Sequence, residues 1–216
     1  MSLDAETACA RMGVSRETAD ALKGYVDLLK RWQGRVNLIS SGSLPDVWER
    51  HVLDSAQLLP LLPAGTRTLL DVGSGSGFPG LVLAVLGVPD VHLVESARRK
   101  VTFLREAARH TGAPVQVHGC RVESLALPSA DVVTARACAP LDRLLTLLEP
   151  ILAQGSVGLF PKGARWQEEL EAAQRHWHFT WTATPSETAS EARILTIREV
   201  RRDHGTGNRT SDHHAA

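Results

Sequence analysis

Cysteine is scarce in this chain of 216 residues: three in all, an odd number at irregular spacing, which matches neither a disulfide framework nor a zinc site. A disulfide-stapled secreted scaffold is thereby excluded, and a reducing compartment, the cytoplasm, is expected. Long hydrophobic runs are missing as well, since no stretch approaches the roughly 20 apolar residues that span a bilayer. The opening "MSLDAETACARMG" carries acidic residues where a signal peptide needs basic ones and has no continuous apolar core. No membrane association is expected. An excess of either charge is also absent, with 24 basic residues against 24 acidic ones. Nucleic-acid binding through bulk electrostatics is weakened by that balance, although a local patch can hide in a neutral total. The densest patch is "SARRKVTFLREAARH", where Arg98, Arg99, Lys100, Arg105 and Arg109 fall within about three helical turns.

What is present is a 43% apolar composition, enough at this length for one well-packed domain with extensions. From Ser15 to Asn37 the residues Leu22, Tyr25, Val26, Leu29 and Trp32 recur every three or four positions, which predicts an amphipathic helix. A second helix is expected from about Pro45 to Leu62, started by Ser43 with Asp46 three residues on and Pro45 in the first turn. Residues 1–62 thus read as a helical extension packed on a core of residues 63–202. In that core, short apolar runs alternate with helical patterns: "RTLLDV", "VHLVE", "APVQVHG", "ADVVTA" and "SVGLF" as strands, with helices between and after them. Such alternation predicts an α/β fold with a mostly parallel sheet covered on both faces. Two more extended pieces, "FTWTAT" and "RILTIREVR", complete seven strands; "TPSETASEA" between them is too short for a helical crossover, so the last strand is expected to run antiparallel. Residues 203–216 show no periodicity and no apolar anchor, and disorder is expected there.

The most informative stretch is "LLDVGSGSGFPGLVLA", Leu69 to Ala84: a strand, a glycine-rich turn and an apolar helix. Gly73, Gly75 and Gly77 let backbone approach a ligand closely, and Gly75, Gly77 and Gly80 satisfy G-x-G-x-x-G. Glu95 ends the next strand about twenty residues on, where a carboxylate accepts both hydroxyls of a ribose. NAD and S-adenosyl-L-methionine (AdoMet) both present that ribose. Asp71 favours AdoMet, because an acid beside the loop suits an ammonium and a sulfonium and sits badly against a pyrophosphate. Phe78 and Pro79 fill the first helical turn, where a pyrophosphate needs free N–H groups. Asp71 as a mere cap of the loop stays open as a second reading.

Taken together, the motifs "NLIS", "WERHVLDSAQLLPLL", "LLDVGSGSGFPGLVLA", "LVESARRKVTFLREAAR", "CRVESL", "DVVTARACAPL" and "LFPKG" resemble the bacterial small-subunit ribosomal RNA methyltransferase G family, also called glucose-inhibited division protein B. The resemblance covers residues from about 20 to 165. It implies a class I AdoMet-dependent methyltransferase fold, Rossmann-like, that transfers a methyl group to N7 of a guanine in the 530 loop of 16S rRNA. The implied cofactor pocket comprises the loop Gly73 to Phe78, Glu95, Arg121, Val122, Glu123 and Arg136, with Val122 and Glu123 framing the adenine. Asn37, His51, Arg136 and Lys162 match polar positions near the implied reaction face. Cys138 and Pro161 depart from the family pattern, the first replacing an aromatic residue and the second an apolar one before "KG".

The implied chemistry suits these residues. Guanine N7 has an in-plane lone pair and no proton, so methyl transfer needs no general base, and positioning with electrostatics carries the rate. Amine methylation would show an N/D-P-P-Y/F-like motif where this chain has "TARACAP". Cytosine-C5 methylation needs a cysteine nucleophile, for which Cys138 is the one candidate, with no activator near it in sequence. Arg121 and Arg136 are read as binding and orienting groups, Lys162 as a phosphate contact, and His51 as a target contact or a packed helix residue. An assembling small subunit, shaped by its proteins, is the expected partner of a neutral, monomeric protein, with no metal involved. Two other readings stand beside this one: a nicotinamide-dependent oxidoreductase on the same glycine loop, and a non-catalytic module that binds AdoMet or RNA.

Overall fold

The computed structural model describes residues 3–125 and 130–203. The expected disorder of the tail falls, apart from Asp203, outside the described residues; Asp203 itself donates its N–H to the His176 carbonyl at 2.8 Å. Two capped helices open the chain. In α1 (Ala5–Met12) the Asp4 carboxylate accepts the Thr7 N–H at 2.7 Å and Gly13 closes the other end in the left-handed region at φ 63°. No sequence pattern had singled this helix out. The expected amphipathic helix is α2 (Arg16–Gln33), with Ser15 accepting from Thr18 N–H and Leu22, Tyr25, Val26 and Leu29 on its buried face.

The second expected helix is not one helix. Residues Ser41–Ser43 form a 3₁₀ turn, Trp48–Leu53 a π-helical stretch, α3 (Asp54–Ala56) one α turn, and Leu59–Leu61 another 3₁₀ turn around Pro60. Nor does Ser43 cap it: its hydroxyl donates to the Ser40 carbonyl and is bonded by the His51 ring, both at 2.9 Å. Partners three and eight residues away take the hydroxyl that the cap would need, and π turns are rare enough that their recurrence at functional sites has weight.

Seven strands follow: β1 (Thr68–Val72), β2 (Asp90–Val94), β3 (Val115–His118), β4 (Val132–Thr134), β5 (Val157–Lys162), β6 (Trp177–Pro185) and β7 (Arg193–Arg202). They pair in the order β3-β2-β1-β4-β5-β7-β6, the first five parallel and β7 antiparallel to both of its neighbours. The expected mostly parallel sheet and antiparallel last strand are thus observed. Helices α4 (Gly80–Val85), α5 (Arg98–Thr111), α6 (Leu141–Leu152) and α7 (Trp166–Gln174) supply the crossovers.

Alternation along the strands builds two apolar layers. Leu69, Val91, Leu159 and Ile194 face one side, packed with α2, α4 and α5; Leu70, Val133, Phe160 and Leu195 face the other, packed with α6 and α7. Residues of the N-terminal helices, Ala8 through Leu58, belong to the first layer with no break. The extension is therefore a wall of the same core. Among the described residues no helix is long and apolar enough to cross a membrane. The basic face of α5 is solvated: Arg98, Arg99, Arg105 and Arg109 are exposed.

Candidate active site

In an open parallel sheet, ligands sit beyond the carboxyl ends of the strands, where the strand order reverses. Here that crevice lies between β1 and β4. The segments after β1, β2 and β3 form one half of it, and the segments after β4 and β5 the other.

The first half is the glycine loop. Its entrance is fixed by Gly73 and Ser74, whose N–H groups both donate to the Val94 carbonyl, at 2.9 and 3.1 Å. Gly77 adopts φ 99°, and a Cβ there would stand 3.0 Å from Leu81 Cβ and 3.1 Å from the Tyr25 hydroxyl. That hydroxyl, delivered by α2, donates to the Ser76 carbonyl, so the extension holds the loop from behind. Glu95 holds it from the front: its Oε2 accepts the Gly75 N–H at 3.0 Å and its Oε1 the Ala97 N–H at 2.7 Å. A carboxylate has about four lone-pair sites, so both oxygens can still accept a ribose hydroxyl.

Asp71 is placed otherwise than as a direct ligand contact. It is fully buried beneath the loop, with Oδ1 accepting from the Thr134 hydroxyl at 2.8 Å and Oδ2 from the Gly80 N–H at 3.2 Å. Burial pushes its carboxyl up to about 6, against the hydrogen bonds from Thr134, Ser74 and Gly80 and the field of Arg136. The capping reading describes this geometry. It also has a consequence for ligand choice: an anionic side chain already occupies the amino end of α4, where a dinucleotide would put its pyrophosphate. The residues fit AdoMet, which brings no phosphate, and do not fit NAD.

Phe78 does not line an open pocket either. Its ring is 4% exposed and packs against Tyr25 at 5.4 Å, His51 at 5.0 Å and the Arg136 guanidinium at 5.3 Å. After β3, Arg121 and Glu123 are exposed and Val122 is half-buried in a single 3₁₀ turn, Val122–Ser124. A surface of this kind offers an apolar side chain and backbone to an adenine.

The second half is a cavity of about 580 Å³ between the segments after β4 and β5, the π-helical stretch and the β6–β7 connection. Arg136 organises it. Nη1 donates to the Arg50 carbonyl at 3.0 Å and to Asp54 Oδ2 at 2.9 Å, and Nη2 donates to His51 Nδ1 at 2.7 Å. A guanidinium only donates, so His51 Nδ1 is the acceptor and its Nε2–H points at Ser43. The ring is neutral: burial, then Arg136 and Arg50, press its value down to about 3. Two of the five N–H donors of Arg136 have no partner among the described residues. Asp54 Oδ1 in turn accepts from the Thr188 hydroxyl at 2.7 Å and Gln57 Nε2 at 2.8 Å, which ties the β6–β7 connection to the extension.

Lys162 lines the cavity but is not free to hold a phosphate. Its ammonium sits 2.8 Å from Glu169 Oε2 and donates to the Ala139 carbonyl at 2.9 Å, while the same Glu169 oxygen accepts the Leu141 N–H at the start of α6. Asn37 is not brought to the cavity. It is exposed beside Gln33, whose amide staples the Leu38 and Ile39 backbone. Cys138 stands on the border of the two halves, where a Cβ on Gly73 would come within 2.8 Å of its sulfur. Burial, followed by the carboxylates Asp71 and Glu95, raises its thiol above the usual value, so it is not an activated nucleophile. Ala137, between Arg136 and Cys138, takes φ 51°, a left-handed turn that costs about 1–2 kcal/mol. Among the described residues no cluster of three or more His, Cys, Asp or Glu side chains is arranged to hold a metal.

Sequence reading missed Tyr25, Asp54, Glu169 and Thr188. Asp54 had a signal, three residues after His51 in the "RHVLDS" motif; for the others no local pattern marks the role.

The family model described as GidB, rRNA small subunit methyltransferase G, matches residues 18–195. The ribosomal RNA small subunit methyltransferase G of Paramagnetospirillum magneticum is 53% identical over 197 residues, covering 91% of this chain and 96% of its own length. That of Rhodospirillum centenum is 52% identical, with 88% of each chain covered. Among solved structures, a putative O-methyltransferase from Klebsiella pneumoniae superposes with a TM-score of 0.54 at 13% identity over 86% of this chain and 90% of its own. A mutant of MtNAS in complex with S-adenosylmethionine gives a TM-score of 0.54 at 15% identity, over 91% and 84%. These two likenesses show the fold, a methyltransferase-type α/β sheet.

Proposed function

Since the chain belongs to the rRNA small subunit methyltransferase G family, it is a methyltransferase, and we propose that it moves a methyl group from AdoMet to N7 of a guanine in the 530 loop of 16S rRNA within the assembling small subunit. One observation carries this: a loop suited to a cofactor without phosphate meets, across Cys138 and Gly73, a cavity large enough for a nucleotide.

Bound AdoMet supplies an electrophilic methyl on a sulfonium. Gly73 to Gly77 and Glu95 would hold its amino-acid and ribose parts, and Val122 and Glu123 its adenine. The chain's remaining work is to orient the base and keep water out. The two uncommitted N–H groups of Arg136 suit O6 of a guanine, the acceptor next to N7. N7 has no proton to lose, which agrees with the state of the site: His51 has both ring nitrogens engaged and the Cys138 thiol is held protonated. Arg136 is balanced by Asp54 and Lys162 by Glu169, so neither stands as an uncompensated cation toward a base that acquires positive charge.

A folded rRNA must expose the base first, which single-stranded loops do most cheaply. Mass mapping of small-subunit rRNA from cells with and without the gene tests the reading. Loss of one methyl from a 530-loop guanine is the expected result; an unchanged map refutes it. Partly assembled subunits are expected to turn over far better than a naked hairpin, and equal turnover would remove the requirement for an assembled substrate.

A further inference from the structure

Five cationic side chains line the cavity, and they divide into two kinds. Three are committed within the protein. Arg136 pairs with Asp54 at 2.9 Å and Lys162 with Glu169 at 2.8 Å, while Arg193 donates to the Ser190 and Ala192 carbonyls and lies over the Trp166 ring. The other two, Arg50 and Arg165, are exposed and take part in no ion pair among the described residues. They come from different walls, Arg50 from the π-helical stretch and Arg165 from the turn after β5. Arg165 is the N-cap of α7, where the helix dipole disfavours a cation. Two exposed guanidiniums without a carboxylate, on different walls of one cavity, mark a place for an anion from outside.

We infer that Arg50 and Arg165 are a pair of phosphate contacts that grip the RNA backbone on either side of the base entering the cavity. The inference rests on the reading of the site as an RNA methyltransferase. Base and backbone make opposite electrostatic demands: the base becomes cationic and needs balanced surroundings, while its flanking phosphates are anionic and need free cations. The division of the side chains suits both: Arg136 and Lys162 each have a carboxylate against them, and Arg50 and Arg165 are exposed without one. A guanidinium offers its fork to phosphate oxygens, and near the surface it keeps enough hydration to stay charged without a partner.

The test uses the full chain and small subunits from cells lacking the gene, with Arg50→Gln, Arg165→Gln, the double variant, and Arg16→Gln on α2 as a control of equal charge change. Binding of the subunits is measured from low to high salt, and methyl transfer in parallel. Removing either guanidinium is expected to reduce the slope of log affinity against log salt by about 0.7 to 1, and removing both by about twice that. The loss of kcat/KM, on the order of five- to tenfold per substitution at moderate salt, is expected to fall in KM rather than kcat. Slopes equal to those of the wild type and the control overturn the inference, as does a loss confined to kcat. Wild-type protein that transfers no methyl at all would instead overturn the reading beneath it; the binding slopes still decide whether the two arginines hold phosphate.

Discussion

Removing the carboxylate of Asp54 is expected to loosen the whole acceptor side of the site. Its two oxygens hold Arg136 at 2.9 Å, the Thr188 hydroxyl at 2.7 Å and the Gln57 amide at 2.8 Å, and both members of the ion pair have side chains only 17% exposed. Breaking a fully buried pair from one side costs about 3–5 kcal/mol, mostly because the surviving charge is left without a partner. The residual exposure lets water reach the stranded guanidinium, so the pair is worth about 2 kcal/mol here; the two lost hydrogen bonds add about 1 kcal/mol, since the Gln57 amide keeps the Asp54 carbonyl and Ser186, and the Thr188 hydroxyl keeps Ser186. Asp54→Ala should therefore lose about 3 kcal/mol, a fall in Tm of roughly 6–12 °C for a domain of this size. Calorimetric melts of Asp54→Ala, Arg136→Met and the double variant form a cycle. The double variant is expected to be less destabilised than the sum of the singles by about 2 kcal/mol, since no bare charge remains. Arg136 is also no longer aimed, so methyl transfer should fall by more than about tenfold while AdoMet affinity changes less than about threefold. A Tm shift under about 2 °C, or additivity within about 0.5 kcal/mol, would refute the account of Asp54 as the junction of three walls.

Cys138→Ser should keep methyl transfer within about twofold, measured by tritium incorporation into subunits; abolition of activity would make the thiol a nucleophile. Gly77→Ala forces a Cβ to 3.0 Å from Leu81 and 3.1 Å from Tyr25 at φ 99°, so it should cost about 1–3 kcal/mol and weaken AdoMet at least about tenfold by calorimetry, whereas wild-type affinity would show that the loop is not the cofactor's seat. The pH dependence of unfolding should contain two opposed terms. His51 is held at about 3 in the native state, so between that value and its ordinary 6.5 the unfolded chain binds the proton better, and its contribution to stability is lost as pH falls below 6.5. Asp71 is raised to about 6 from 3.8, so here the native state binds the proton better and stability is gained as pH falls through 6. Between pH 7 and 5, denaturant unfolding should show His51→Gln improving relative to wild type and Asp71→Asn losing ground; parallel curves for all three would contradict both assignments.

The half of the site built from consecutive residues is legible in the sequence alone. Strand, glycine turn and helix lie within sixteen residues, and Glu95 follows at the spacing a βαβ unit imposes, so local rules suffice. The direction of the strands is legible for a similar reason, because parallel strands need crossovers and "TPSETASEA" is too short to be one. What stays hidden depends on contacts between distant positions. Arg136 meets Asp54 across 82 residues, and Asp54 meets Thr188 across 134. No periodicity encodes such a meeting. The π-helical turn is hidden for a nearer reason: Ser43 reads as a cap by every local rule, yet its hydroxyl bonds the Ser40 carbonyl and the His51 ring. Asp71 and Lys162 are legible as important but not in role, because composition does not reveal whether a charge is free or already matched.

That distinction decides what the acceptor side can do. A unit charge about 5 Å from another of the same sign costs about 3 kcal/mol at an effective dielectric of 20, more than a hundredfold in rate if it is felt only as the base turns cationic. An unpaired Arg136 or Lys162 would impose such a cost on the transfer it is meant to assist. Asp54 and Glu169 remove it by matching each cation at under 3 Å. The same two carboxylates also hold the walls together, through Thr188 and Gln57 on one side and the amino end of α6 on the other. Rigidity and charge balance therefore come from the same bonds, and a substitution that disturbs either disturbs both. This explains how a chain of zero net charge can work on a polyanion. Around the cavity, Arg136 and Lys162 are matched by carboxylates, as a base made cationic by the proposed transfer requires, while Arg50 and Arg165 have no ion pair among the described residues and suit a passing RNA backbone.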